Sequence, residues 1–419
     1  MNARQMAAMA EATRLTRQGR LVEATALIQQ TLAGPAATRR PPDAAPAGQQ
    51  AGGTPGREPD PPLAQRAGGG TQPRQVSPGW VPRRRALLSR GPSGLGRLRR
   101  PVSPVVTAPP GRFDAFSYTD AAGARGYRVY VPASGAGGAL PLIVMLHGGT
   151  QDAATFAAAT GMNDLAERDK FLVAYPEQAS SANAGRYWNW FAPGHQRRDA
   201  GEPSLIAGIT GQVTDRYQAD PARVYVAGFS AGGAMAAVMA AVYPDLYAAV
   251  GVHSGLPYAA AGDVASALEA MRHGPSPTAR PLGRSPARPL PLIVFHGDRD
   301  PIVAPANAAG LIGHVLAAAS PDRHPGALPA AVTGGQVPGG HAYTRTCYQD
   351  PAGVALAECW IIHQGGHAWS GGAPHGSYTD AHGPDASAEF IRFFGEHPAI
   401  PPTRRPEPAR SAPERAGGG

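Results

Sequence analysis

The chain has 419 residues, 54 of them Gly and 45 Pro, and a formal charge of +8. That charge sits at the ends: residues 1–112 carry 17 Arg against 5 acidic residues and residues 400–419 carry 4 against 2, so 113–399 is net negative and nucleic acid is not expected as a partner. No run of 18 apolar residues occurs, so no helical membrane span is expected, and two cysteines do not define a redox compartment.

In chain order, residues 2–17 and 20–33 pattern as two amphipathic helices split at Gln18-Gly19, a hairpin over 1–34 too small to bury its own apolar face. This stretch has Arg4, Arg14, Arg17 and Arg20 but no apolar run of the kind a secretory signal needs, so the cytoplasm is expected ahead of export. Residues 35–112 are rich in Pro, Gly and Arg with almost no apolar periodicity. They are expected to be a disordered linker, as is the tail at 400–419, because neither can offset its chain entropy by burial. The clusters Arg83-Arg84-Arg85 and Arg97, Arg99, Arg100 read as solvated linker charge ahead of a tether to an anionic partner.

A single folded domain is expected over 113–399. It opens with a hairpin, FDAFSYTDAAGARGYRVYVPA, and continues with LPLIVML at 140–146, a continuous apolar run of the kind buried on both faces of a parallel sheet. A helical stretch, a strand at 171–178, a helix at about 203–218 and the strand VYVAG at 224–228 follow. Then come an Ala-rich helix, a strand at 248–255, a Pro-rich insertion at 274–291 and a strand at 290–300. A helix, a hairpin and a last helix at about 385–396 complete the domain. Strands alternating with helices predict an α/β fold around a mostly parallel sheet, with helices on both faces and chemistry beyond the carboxyl ends of the strands.

Four of those strand ends carry polar groups. VYVAG runs into Gly228-Phe229-Ser230-Ala231-Gly232 and then a helix, the strand–turn–helix context of a nucleophile elbow. In a Gly-rich chain the G-x-S-x-G pattern alone is weak; its partners decide. A serine needs a base, and the base an orienting acid. Asp300 in HGDRDPIV is the expected acid, with Asp298 as fallback, and either one also reads as a helix cap. His367, between glycines in GGHAWSGG, is the expected base ahead of His363, His375 and His382. The order Ser230, Asp300, His367 is that of α/β-hydrolases. Oxyanion donors are expected from the backbone of Ala231 and from Gly149 or Thr150 in HGGT, where glycine also serves as a simple tight turn.

At these residues the chain resembles the poly(3-hydroxybutyrate) depolymerase family of esterases, which groups with feruloyl and acetylxylan esterases. The resemblance covers about 113–397 and rests on LHGGTQDAATFAAATGMNDLAE, YWNWF, VYVAGFSAGGAM, VFHGDRDPIV, GGHAWSGG and GSYTD…GPDASAEFIRFF. The first 34 residues also resemble the leader found on many bacterial members. The resemblance implies an α/β-hydrolase fold and a serine esterase needing no metal or other cofactor. Its substrate would be a short-chain hydroxyalkanoate polyester or its oligomers, or else an acetyl or feruloyl carbohydrate ester. A reading of another class is a non-catalytic scaffold that docks on polymer granules through its N-terminal segment.

Relatives often carry Cys where this chain has Gly149 and Tyr187. Conversely, Cys347 and Cys359 lie on two β-runs around Asp350-Pro351-Ala352-Gly353, either joined as a disulfide across that hairpin or left as reduced thiols. Trp188, Trp190 and Trp369 are candidates to line a polyester cleft, or else to pack a loop scaffold.

Overall fold

The computed structural model describes residue 11 and residues 111–133, 138–276, 289–319, 330–350 and 352–399. The chain divides into two units, Met1–Pro35 with Ala108–Gly419, and Ala36–Thr107; every described residue belongs to the first. The expected leader, linker and tail therefore lie outside the described residues, save for residues 11, 111 and 112, as does the centre of the Pro-rich insertion.

The opening hairpin forms from β1 (Arg112–Asp120) and β2 (Gly123–Val131). Then follow β3 (Leu142–Leu146), α1 (Ala153–Thr160), α2 (Met162–Asp169), β4 (Leu172–Pro176), a short 3-10 turn (Pro193–His195), α3 (Gly201–Tyr217) and β5 (Val224–Phe229). The second half runs α4 (Ala231–Val242), β6 (Ala249–His253), α5 (Val264–His273), β7 (Leu292–Gly297), α6 (Ala306–Ala319), β8 (Ala330–Gln336), β9 (Ala342–Gln349) and β10 (Ala355–Ile362). The two-residue strands β11 (Trp369–Ser370) and β12 (Thr379–Asp380) and the helix α7 (Ala386–Glu396) end it.

One sheet has the order β1-β2-β4-β3-β5-β6-β7-β10-β9-β8. Its centre, from β4 through β10, is parallel, and antiparallel strands close both ends. The strand β8, exposed at all but one position, had no counterpart among the expected elements. The continuous apolar runs are explained by the pleat, which sends successive side chains to opposite faces. Leu142, Val144 and Leu146 join one core with residues of α3, α4, α5 and α6; Ile143 and Met145 join the other with Phe156, Met162, Phe390 and Phe394 of α1, α2 and α7. Each fully buried Leu, Ile or Phe contributes roughly 1.5–3 kcal/mol relative to exposure, so both faces are needed to hold the sheet.

The hairpin expected around Cys347 and Cys359 is β9–β10, but the disulfide is not formed: both thiols are free. The register gives the reason. Cys347 stands opposite Glu358, and Cys359 opposite Thr346. Directly paired residues share a face and neighbours alternate, so the two sulfurs point to opposite sides of the sheet.

Candidate active site

Ser230 sits between β5 and α4 with φ 55° and ψ −120°, a backbone conformation that costs a non-glycine residue free energy and persists only where its surroundings enforce it. The enforcement is visible. A Cβ on Gly228 would collide with Gly232 O, and one on Gly232 with Leu146 O, so both flanking glycines are required for α4 to start this close to β3 and β5. The Ser230 N–H is held by His253 O of β6 at 2.9 Å.

His367 Nε2 lies 2.9 Å from Ser230 Oγ, and His367 Nδ1 lies 2.7 Å from Asp300 Oδ2. All three residues are buried. The other Asp300 oxygen accepts the N–H groups of Ile302 at 2.9 Å and Val303 at 2.8 Å, which fixes the carboxylate plane. Burial acts to raise the Asp300 pKa, but the His367 charge and hydrogen bond, with His296 and the Val303 N–H, outweigh it and hold the carboxyl below its usual range. The acid and base loops are laced together by Asp298 N–H to Ile362 O and Arg299 N–H to Gly365 O, each 3.0 Å, because β7 and β10 are parallel neighbours. Asp298, the fallback acid, is turned elsewhere: its carboxylate takes His363 Nδ1 at 3.0 Å and Gln364 N–H at 2.7 Å. His382 lies beside Asp380 at the surface.

Of the expected oxyanion donors, Ala231 opens α4, where a first-turn N–H has no partner within the helix. Thr150 does not fit: its N–H donates to Gly185 O at 2.8 Å, so it is engaged by the protein itself. Gly149 is the remaining candidate in that loop, and the Gly148 N–H beside it is taken by Gln151 Oε1 at 2.9 Å.

The tryptophans expected as cleft walls are core residues. Trp188 is fully buried with Nε1–H donated to His147 O at 3.1 Å, and Trp369 is buried with Nε1–H donated to Ser387 Oγ at 3.0 Å. Trp369 also stacks on His253 at 5.0 Å, and Trp190 packs edge-on against Phe191 at 5.7 Å. Trp188 and Trp369, buried and with their N–H groups engaged, have nothing left to offer a ligand, whereas Trp190 is buried by packing alone. Tyr378 instead lies near the base, its ring centroid 6.4 Å from that of His367 and its backbone at φ 55°.

Several groups were missed in the sequence. His147, His253 and His296 each close or follow an apolar strand at the same sheet edge, a recurrence that is readable as a pattern. His253 Nε2 accepts the Ser370 N–H at 2.9 Å, and His296 Nε2 bonds Val303 O at 2.8 Å. Burial holds all three low and neutral, His147 at about 4. Glu202, wholly buried at the start of α3, carried no signal, since an acid in a first helical turn reads as a solvent-facing dipole partner. Among the described residues no group of three or more His, Cys, Asp or Glu could hold a metal ion, and no helix is long and apolar enough to cross a membrane.

Parallel strands, an elbow serine and partners on two later strand-end loops define the α/β-hydrolase fold. The solved acetyl xylan esterase from Aspergillus awamori shares it, with a TM-score of 0.53 at 21% identity over 68% of this chain and 99% of that one. A sequence model described as Esterase PHB depolymerase matches residues 125–333, and the chain belongs to that family. It is 41% identical over 176 residues to poly(3-hydroxyalkanoate) depolymerase C of Paucimonas lemoignei, a match covering 40% of this chain and 42% of that one. To feruloyl esterase B of Neurospora crassa it is 35% identical over 127 residues, covering 30% and 42%. To acetylxylan esterase A of Emericella nidulans it is 35% identical over 133 residues, covering 32% and 42%. The chain thus spans under half the length of these curated relatives.

Proposed function

We propose that the chain is a serine esterase whose substrate is a short-chain hydroxyalkanoate polyester or its oligomers. The observation that carries this reading is the buried chain Ser230 Oγ, His367 Nε2, His367 Nδ1, Asp300 Oδ2, at 2.9 and 2.7 Å. Ser230 Oγ attacks the ester carbonyl while His367 Nε2 takes its proton, and Asp300 steadies the imidazolium. The oxyanion rests on the N–H groups of Ala231 and Gly149. Collapse breaks the ester C–O bond, His367 protonates the departing alcohol, and the acyl group stays on Ser230. Water, deprotonated by His367, then attacks the acyl carbon and releases the acid with Ser230 restored. The polyester is favoured by the likeness to the depolymerase, the relative with the highest identity of those described.

A second reading, a carbohydrate ester of the acetyl or feruloyl type, is supported by the likeness to the two fungal esterases. A docking role on polymer granules would fall to residues 1–112, and truncating them tests it: loss of adsorption with soluble-ester activity kept assigns them targeting. The deciding experiment measures soluble 3-hydroxybutyrate released from amorphous poly(3-hydroxybutyrate), with Ser230→Ala alongside. Release by the unaltered protein alone supports the polyester and the nucleophile. Cleavage of p-nitrophenyl acetate without polymer release moves the substrate to carbohydrate esters.

A further inference from the structure

A carboxylate with no part in the reaction above lies at the heart of the loops that surround Gly149. Glu202 is fully buried. Its Oε1 accepts Gln178 Nε2–H at 2.5 Å and Asn189 Nδ2–H at 2.6 Å, its Oε2 accepts the Asn189 N–H at 2.7 Å, and Arg125 Nη2 stands 3.5 Å away. Leaving a carboxylate in the interior costs several kcal/mol unless its partners compensate, so mere space-filling would be met better by an apolar side chain.

What the carboxylate holds is specific. Gln178 passes the same Nε2 to Tyr187 O at 2.9 Å, and its backbone N–H bonds His147 Nε2 at 3.0 Å. Asn189 Oδ1 accepts Asn183 Nδ2–H at 3.0 Å, and Asn183 Oδ1 in turn takes the N–H groups of Gly185 at 3.0 Å and Tyr187 at 3.3 Å. From that framed loop Gly185 O receives the Thr150 N–H, Trp188 Nε1–H reaches His147 O, and the Tyr187 ring packs against Gly149. Residues 147–150 are therefore braced by Gln178 directly and by the 183–188 segment, which Glu202 reaches through Gln178 and Asn189.

We propose that Glu202 is a positioning residue that sets the orientation of the Gly149 N–H, and so acts on transition-state stabilisation without touching substrate. The proposal rests on the esterase reading above. Three donors and a guanidinium call for acceptor oxygens, whereas Gln brings an NH2 that opposes at least one of them. A donor set slightly off the oxyanion should lose part of the roughly 100- to 1,000-fold that removing one donor outright costs.

The test compares the full chain with Glu202→Gln on p-nitrophenyl acetate, with kcat expressed per active site titrated by diethyl p-nitrophenyl phosphate. The expected result is kcat per titrated site lower by about 10- to 100-fold with KM within about 3-fold, the signature of an interaction made only in the transition state. A lowered Tm with kcat per titrated site within twofold of the unaltered enzyme means that Glu202 only supports the fold, and overturns the proposal. Should Glu202→Gln not fold, Gln178→Met keeps the carboxylate with Arg125 and Asn189 but cuts its link to Tyr187 O. The same split at about 3- to 10-fold is then expected, and an unchanged kcat overturns the proposal. An unaltered protein that neither hydrolyses the ester nor reacts with the phosphate overturns the esterase reading, and this inference with it.

Discussion

The ring of Tyr187 occupies the space that any side chain on Gly149 would need: a Cβ at 149 would collide with Cε1 and Cδ1 of that ring. These are the two positions at which the resemblance drawn from the sequence implies Cys in relatives. In this chain an aromatic ring is laid on a bare backbone, and the missing Cβ at Gly149 is what admits the ring.

It follows that Gly149→Ala should destabilise the protein by about 1–3 kcal/mol, the usual cost of overpacking, and lower kcat as the ring pushes the loop aside. The paired change Gly149→Cys with Tyr187→Cys removes the clash and brings two thiols together. Thiol titration of the denatured, air-oxidised double variant should find two reactive thiols rather than four. Four would show that the loops do not approach as described.

The acid is assigned by contrast. Asp300→Asn leaves His367 Nδ1 facing an amide that imposes no correct tautomer, and kcat on a soluble ester should fall by about 100- to 10,000-fold. Asp298→Asn loses only its contacts with His363 and Gln364 at the surface, and kcat should stay within about threefold, since exposed pairs contribute little. Equal losses in both variants would remove the assignment.

Trp188 and Trp369 should behave as core residues. Trp369→Phe leaves Ser387 Oγ without the indole donor, at a cost of about 1–3 kcal/mol seen as a lower Tm, while KM for soluble esters stays unchanged. A raised KM at unchanged Tm would return Trp369 to the cleft.

The two thiols should make stability indifferent to reductant. Cys347 is partly buried and Cys359 buried, and burial pushes the Cys359 thiol up to about 12. Slow or absent thiolate labelling in the native state, two reactive thiols after denaturation, and the same Tm with and without dithiothreitol are expected.

Acid should destabilise the protein through histidines buried in the neutral form. His147, His253 and His296 all have depressed pKa values in the folded state, so the unfolded chain binds more protons at mildly acidic pH. Their contribution is complete above about pH 6.5 and is lost as pH falls toward each folded value, about 4 for His147. From pH 7 to pH 5, His147 alone should remove about 2 kcal/mol, visible as a falling denaturant midpoint at constant slope. A midpoint constant over that range would show that these rings are not buried neutral.

Much of the fold was legible because local patterns carried it. Short, β-branched apolar runs such as LPLIVML have the length and composition of strands buried on both faces, and the glycines around Ser230 announce a helix starting hard against a strand. The edge strand β8, AAVTGGQ, was not legible: it is short of large apolar residues and exposed at every position but Gly335, so no period marks it.

The sequence by itself determined the α/β order, the elbow at Ser230 and the strand-end loops that hold Asp300 and His367, since each is written in contiguous residues whose backbone and burial demands are local. Only the tertiary structure tied the Thr150 N–H to Gly185 O, put Cys347 and Cys359 on opposite faces, sank the tryptophans into the core and gathered Gln178, Asn189 and Arg125 around Glu202. Those outcomes depend on register between strands and on donors and acceptors far apart in the chain. A buried polar group is defined by which distant partner satisfies it, and that is a property of packing rather than of any stretch of sequence.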